Sequence, residues 1–122
     1  DIAYAATASV GYLEDFMMKV QKAKEVKGTS YIHILAPCPT GWGTATEITI
    51  ALAKEAVDCG LWYLAEYENG AFKLNKNPKE FTPIENYVKQ QGRFKHLKED
   101  DIKTLEAHRD YKWNKMRQNW NV

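Results

Sequence analysis

The stretch that decides the fold is Tyr31-Ile32-His33-Ile34-Leu35-Ala36-Pro37-Cys38-Pro39-Thr40-Gly41-Trp42-Gly43. Its first six residues are nearly all apolar, as in a parallel-sheet strand covered on both faces. Pro37 stops that strand, and Cys38 to Gly43 form a loop. A second helix is predicted to begin at Thr44, with Glu47 three residues later completing a capping box. It runs to Gly60 along Ile48, Leu52, Ala56 and Cys59.

Upstream, the apolar run Ile2 to Ala8 suits a buried strand. Leu13, Phe16, Met17, Val20 and Ala23 then recur at helical spacing and form one apolar stripe. Glu14 and Asp15 fall in the first turn of that helix, Lys24 and Lys27 in the last, and Gly28 follows as a C-cap, in accord with the helix dipole. Downstream, Leu61 to Tyr67 reads as a third strand, and Asn69-Gly70 turns the chain into Phe72 and Leu74 as a hairpin. The order β-α-β-α-β predicts an α/β fold on a mainly parallel sheet with right-handed crossovers. Three strands and two helices are half of a doubly wound domain, so a sheet edge and a face are left for something else to cover. Residues 1–77 are assigned to this half-domain and residues 78–122 to a helical extension. The extension comprises a short helix from Pro83 to Gln91, a turn at Gly92-Arg93-Phe94 and a long helix from Asp100 to about Trp120. The long helix carries a stripe of Ile102, Leu105, Trp113, Met116 and Trp120, interrupted by Arg109. Its large apolar residues are expected to bury against the α/β body or a partner.

Composition excludes several classes. With 17 basic and 16 acidic side chains and a net charge of +1, the chain lacks the basic field that phosphate backbones require, so no nucleic-acid partner is expected. No apolar run reaches the roughly 20 residues that span a bilayer, which predicts a soluble protein with no membrane role. Two cysteines are too few for a secreted disulfide scaffold, and a reducing, cytoplasmic setting is expected. The chain opens on Asp1 and an apolar run without an initiator Met, so it is expected to be a piece of a longer polypeptide.

The chemistry concentrates at Cys38. In open parallel sheets, ligands bind beyond the C-terminal ends of the strands, and Cys38 lies just past such an end, in a loop feeding a helix where amide groups would favour a thiolate. Pro37 and Pro39 stiffen the position. The opposing role is structural, since a free cysteine is ordinarily buried and inert. Nucleophilic catalysis lacks a base that the sequence places beside Cys38: of His33, His96 and His108, only His33 is near in sequence, and it is expected to be a hydrogen-bonded core residue. Cys59 falls on the apolar stripe of its helix and is expected in the core. Gly41 and Gly43 form a G-x-G without the rest of a nucleotide fingerprint. The residues alone thus support an α/β half-domain with one notable thiol, and a non-catalytic interaction or regulatory domain with a structural Cys38 stays open.

Four segments, in order, carry a resemblance: Ala6-Thr7-Ala8-Ser9, Tyr31 to Trp42, Tyr67-Glu68-Asn69-Gly70 and Gln91-Gly92-Arg93-Phe94. Together they resemble the C-terminal part of the β subunit of pyruvate:ferredoxin oxidoreductase, in the 2-oxoacid:ferredoxin oxidoreductase family. The resemblance implies a thiamine-diphosphate-binding fold and a 4Fe–4S cluster for which Cys38 is one of four ligands. It places the other three cysteines, and the motif that binds the diphosphate and Mg, upstream of Asp1. It further implies pyruvate or a related 2-oxoacid and coenzyme A as substrates, ferredoxin as electron acceptor, and further subunits as partners. A fragment of this kind is expected to be inactive alone.

Overall fold

The computed structural model describes residues 2–122; Asp1, at the start of the expected half-domain, lies outside the described residues. The elements are β1 (Tyr4–Ser9), α1 (Leu13–Glu25), β2 (Ser30–Leu35), α2 (Pro39–Trp42), α3 (Thr49–Asp58), β3 (Ala65–Glu68), β4 (Ala71–Leu74), α4 (Ile84–Val88) and α5 (Glu99–Trp120). Single 3-10 turns occupy Thr46–Ile48 and Gly92–Phe94. The sheet order is β2-β1-β3-β4. This is the expected α/β class with a helical extension, on a mixed sheet.

The crossover through α1 gives the parallel pair, with Tyr4 opposite Ser30 and Ser9 opposite Leu35. The third strand departs from expectation, since β3 runs antiparallel to β1, with Tyr4 opposite Glu68 and Ala6 opposite Glu66. The cause is where α3 lies. The Ser9 hydroxyl donates to the Ala53 carbonyl at 3.1 Å, and a Cβ on Gly11 would fall 2.2 Å from the Lys54 nitrogen. The middle of α3 therefore sits against the C-terminal end of β1. The chain leaves α3 still at that end, where the Trp62 indole donates to the Ala8 carbonyl at 3.0 Å. From there a strand beside β1 can only run backwards. Asn69 and Gly70, with φ of +50° and +82°, then make the two-residue turn into β4 that their residue types predicted.

Two expectations about burial fail. Strand β2 is an edge strand, half-exposed along its length, rather than covered on both faces. Helix α1 turns its predicted apolar stripe outward, leaving Leu13 60% and Met17 63% exposed, while Lys19 is fully buried. The reason is electrostatic, because the sheet face beneath α1 carries Glu66 and Glu68. Lys22 pairs with them at 3.1 and 2.8 Å, and Lys19 donates to the Thr7 carbonyl at 2.8 Å and the Asp15 carboxylate at 2.7 Å. A buried charge is tolerated where it is paired and hydrogen-bonded. Burial would raise the Glu66 carboxyl, but hydrogen bonds from Asn75, Lys22 and Tyr4 outweigh it and bring its pKa down to about 2.

The core lies between α3, α4 and α5, where Leu52, Ala56, Cys59, Ile84, Val88 and Ile102 meet. Helix α5 starts one residue before its predicted position, with Glu99, Asp100 and Asp101 in its first turn and the Lys98 amide donating to the Asp101 carboxylate at 2.8 Å. Arg109, which looked like a break in the stripe, donates to the Cys59 carbonyl at 3.2 Å, and the Trp113 indole donates to the Gly60 carbonyl at 2.8 Å. Both close off the C-terminal end of α3, whose carbonyls lack helical partners. No helix among the described residues is long and apolar enough to cross a membrane.

Trp113 is 4% exposed, whereas Trp120 is 44% exposed and stacks on Phe72 at a ring separation of 4.9 Å. Trp113→Ala should therefore cost about 3–5 kcal/mol and Trp120→Ala clearly less, as read by urea unfolding. Equal losses would show that α5 is not anchored through Trp113.

Candidate functional site

The Cys38 turn is built locally. Cys38 precedes α2 in extended conformation, Pro39 occupies the first helical position, and Gly43, with φ of +67°, ends the turn in the left-handed region that glycine tolerates. The Trp42 amide donates to the Cys38 carbonyl at 2.8 Å and the Thr44 amide to the Pro39 carbonyl at 3.0 Å. The Gly41 amide points at the Cys38 sulfur, 3.4 Å away. The long helix expected to start at Thr44 does not. One turn, α2, ends at Trp42, and α3 begins only at Thr49. The capping box does not form: the Thr46 hydroxyl bonds the Glu47 carboxylate at 3.3 Å, and the buried Thr44 hydroxyl has no partner among the described residues. A four-residue turn is too short to supply the dipole expected of that helix.

The placement at the strand ends is as expected. Ser9 and Leu35 are opposite one another at the C-terminal ends of β1 and β2, so the Ser9–Gly11 loop and the Cys38 turn leave the same side of the sheet. What the sequence did not foretell is the floor under the turn. The Gly92 amide donates to the Gly43 carbonyl at 3.0 Å, and a Cβ on Gly43 would fall 3.1 Å from the Gly92 Cα. The two backbones touch because both residues are glycines. Beside them the Arg93 guanidinium lies 3.8 Å from the centroid of the Trp42 ring and 4.4 Å from that of Phe94. Two segments that are 49 residues apart at this contact thus form one surface. A sequence signal existed, since Trp42, Gly92 and Arg93 belong to the runs that carried the family resemblance, but nothing local joined them.

The two thiols are opposites. The Cys38 thiol is exposed, while Cys59 is fully buried in the core as expected, and burial pushes its pKa up to about 11. His33 corrects the sequence reading. It is exposed on the edge strand β2 and stands edge-on to Trp62 at 4.8 Å, while Trp120 of α5 packs on Phe72 at the opposite edge of the sheet. No group of three His, Cys, Asp or Glu side chains among the described residues is placed to hold a metal ion, so Cys38 would be a single donor. A separate groove of about 460 Å³ runs between α5 and the β-hairpin, lined by Tyr63, Phe72, Trp113 and Trp120, and does not include Cys38.

No family model matches the chain. Individual relatives do. The chain is 47% identical over 118 residues to the ketoisovalerate oxidoreductase subunit VorB of Pyrococcus furiosus, covering 95% of the chain and 38% of the relative. It is 42% identical over 111 residues to the pyruvate synthase subunit PorB of Methanocaldococcus jannaschii, covering 91% and 37%. The PorB of Thermotoga maritima is 33% identical over 118 residues, covering 93% and 36%. The chain belongs to this family of oxidoreductase B subunits. It spans a little over a third of the length of these PorB and VorB relatives. PorB and VorB names occur at comparable identity, so the relatives' names do not choose between pyruvate and ketoisovalerate.

The contrast between the thiols has a direct readout. A short pulse of iodoacetamide near pH 8, followed by peptide mapping, should label Cys38 and leave Cys59 unmodified until the chain is unfolded. Equal labelling of both in the native chain would contradict this geometry.

Proposed function

We propose that the chain is the part of a 2-oxoacid:ferredoxin oxidoreductase β subunit that supplies one thiolate, from Cys38, to a 4Fe–4S cluster. The observation that carries this is the exposed Cys38 thiol on a pinned turn at the C-terminal end of β2, in a chain of the PorB and VorB family. A structural cysteine would be enclosed, as Cys59 is. The donor suits the group, since iron–sulfur clusters are held by cysteine thiolates. The remaining three thiolates would come from outside this chain, because its only other cysteine is in the core.

In the assembled enzyme the substrate would be pyruvate or its branched relative, with coenzyme A taking the acyl group and ferredoxin the electrons. Thiamine diphosphate and Mg, which would be held mainly by residues outside this chain, would supply the electron sink for decarboxylation, and the cluster would supply a one-electron acceptor. The chain's own part is to hold the Cys38 sulfur outward and fixed. Its backbone does this through the Trp42 and Thr44 amides and through the Gly43–Gly92 contact. Residues 1–77 would form half of the diphosphate-binding domain. The exposed edge of β2 and the outward Leu13 and Met17 of α1 are surfaces for the rest of the subunit or its partner subunits.

Cys38→Ser in the assembled enzyme should lower the iron and acid-labile sulfide content by one cluster and slow ferredoxin reduction, while Cys59→Ser should leave the iron content unchanged. Full iron content and an unaltered rate in Cys38→Ser would overturn the assignment.

A further inference from the structure

Within the Cys38 turn, Trp42 is half-buried against the core. The Cys38 thiol is exposed, Thr40 and Gly43 face solvent, and α2 is a single turn. Such a segment opens locally at little cost unless something ties it down. Beside Trp42's own packing and the Gly43–Gly92 contact, a chain of named contacts does so through one further side chain.

The tie begins in the core. Tyr87 of α4 is 7% exposed and Gln91, four residues beyond it, only 2%. The Gln91 amide nitrogen donates to the Tyr87 carbonyl at 2.7 Å, which leaves its carbonyl oxygen free to accept from Arg93 Nε at 2.7 Å. A second guanidinium nitrogen reaches the Tyr87 hydroxyl at 3.3 Å. Held from that side, the flat guanidinium rests on the Trp42 ring at 3.8 Å and the Phe94 ring at 4.4 Å. Trp42 in turn donates its backbone amide to the Cys38 carbonyl at 2.8 Å. Core, Gln91, Arg93, Trp42 and Cys38 are thus joined in sequence. A lysine in place of Arg93 could keep the charge, but it could not lie flat on a ring while donating to two oxygens.

We propose that Arg93 is a positioning residue for Cys38, fixing the turn that presents the thiol by joining Trp42 to the buried Gln91 and Tyr87. The backbone contact between Gly43 and Gly92 holds the end of the turn, and Arg93 holds the Trp42 ring. The proposal rests on Cys38 being the functional thiol, but its structural half stands apart from that reading.

Two measurements test it. Amide exchange of the chain reads the turn directly. Arg93→Leu should speed exchange at Trp42 and Thr44 about fivefold, equivalent to about 1 kcal/mol, with α5 amides unchanged. Trp42→Leu should speed exchange at Thr44 to the same extent. The double variant should add little more there, because both changes break one linkage. Arg93→Lys should behave as Arg93→Leu. In the assembled enzyme, Arg93→Leu should retain iron but alter the electron paramagnetic resonance signal of the cluster next to Cys38. Unchanged exchange at Trp42 and Thr44 in Arg93→Leu, full rescue by lysine, or effects of the two single variants that simply add at Thr44 would each overturn the proposal. If Cys38→Ser keeps its iron while Arg93→Leu still loosens the turn, the cluster assignment fails and the positioning role of Arg93 stands.

Discussion

The close approach of α3 to the β1–α1 loop governs the rest of the molecule. Gly11 has no side chain, so the backbone at Ala53 and Lys54 can come to where a Cβ would otherwise be, and the Ser9 hydroxyl bonds both the Gly11 amide and the Ala53 carbonyl. That contact lays α3 across the ends of the strands instead of along the face of the sheet. Three consequences follow. The chain re-enters the sheet from the wrong end for a parallel strand, the far side of α3 is offered to α4 and α5, and the approach to α3 from β2 is left as a loop. Cys38 sits in that loop.

The parts of this arrangement legible in the sequence were those set by neighbours in the chain. Asn69-Gly70 gave the hairpin because those two residues accept positive φ. Helix α5 was placed to within a residue because its acidic first turn and its apolar spacing agree. Cys59 was assigned to the core from spacing alone. The misreadings share a cause, which is that they depended on what lay opposite. Leu13 and Met17 were read as inward because apolar stripes usually are, yet the sheet face beneath α1 presents Glu66 and Glu68, and lysines answer them better than leucines. His33 and β2 were read as covered on both faces, whereas β2 is an edge strand and His33 is exposed. The direction of β3 depended on where α3 lies, which no window of sequence around β3 records.

The site divides in the same way. Cys38 was picked out by its place after a strand end and by the rigid residues around it, and those features hold. Its supports, Gly92 and Arg93, come from a turn some fifty positions on and were visible only as part of a family pattern. Two glycines meeting across such a distance are a non-local device, in that each looks like an ordinary loop residue until the other is placed beside it. The arrangement is also economical in contacts. An exposed thiol is not anchored by burial of its own side chain, so the anchoring falls to the backbone of the turn and to Trp42.

The central claim is that Cys38 meets iron. It is tested most directly by an anomalous difference map collected at the iron edge on crystals of the assembled, anaerobically purified enzyme. The account predicts an iron peak in bonding contact with the Cys38 sulfur and none near Cys59. Iron elsewhere in the enzyme, with the Cys38 thiol facing only protein or solvent, would contradict it.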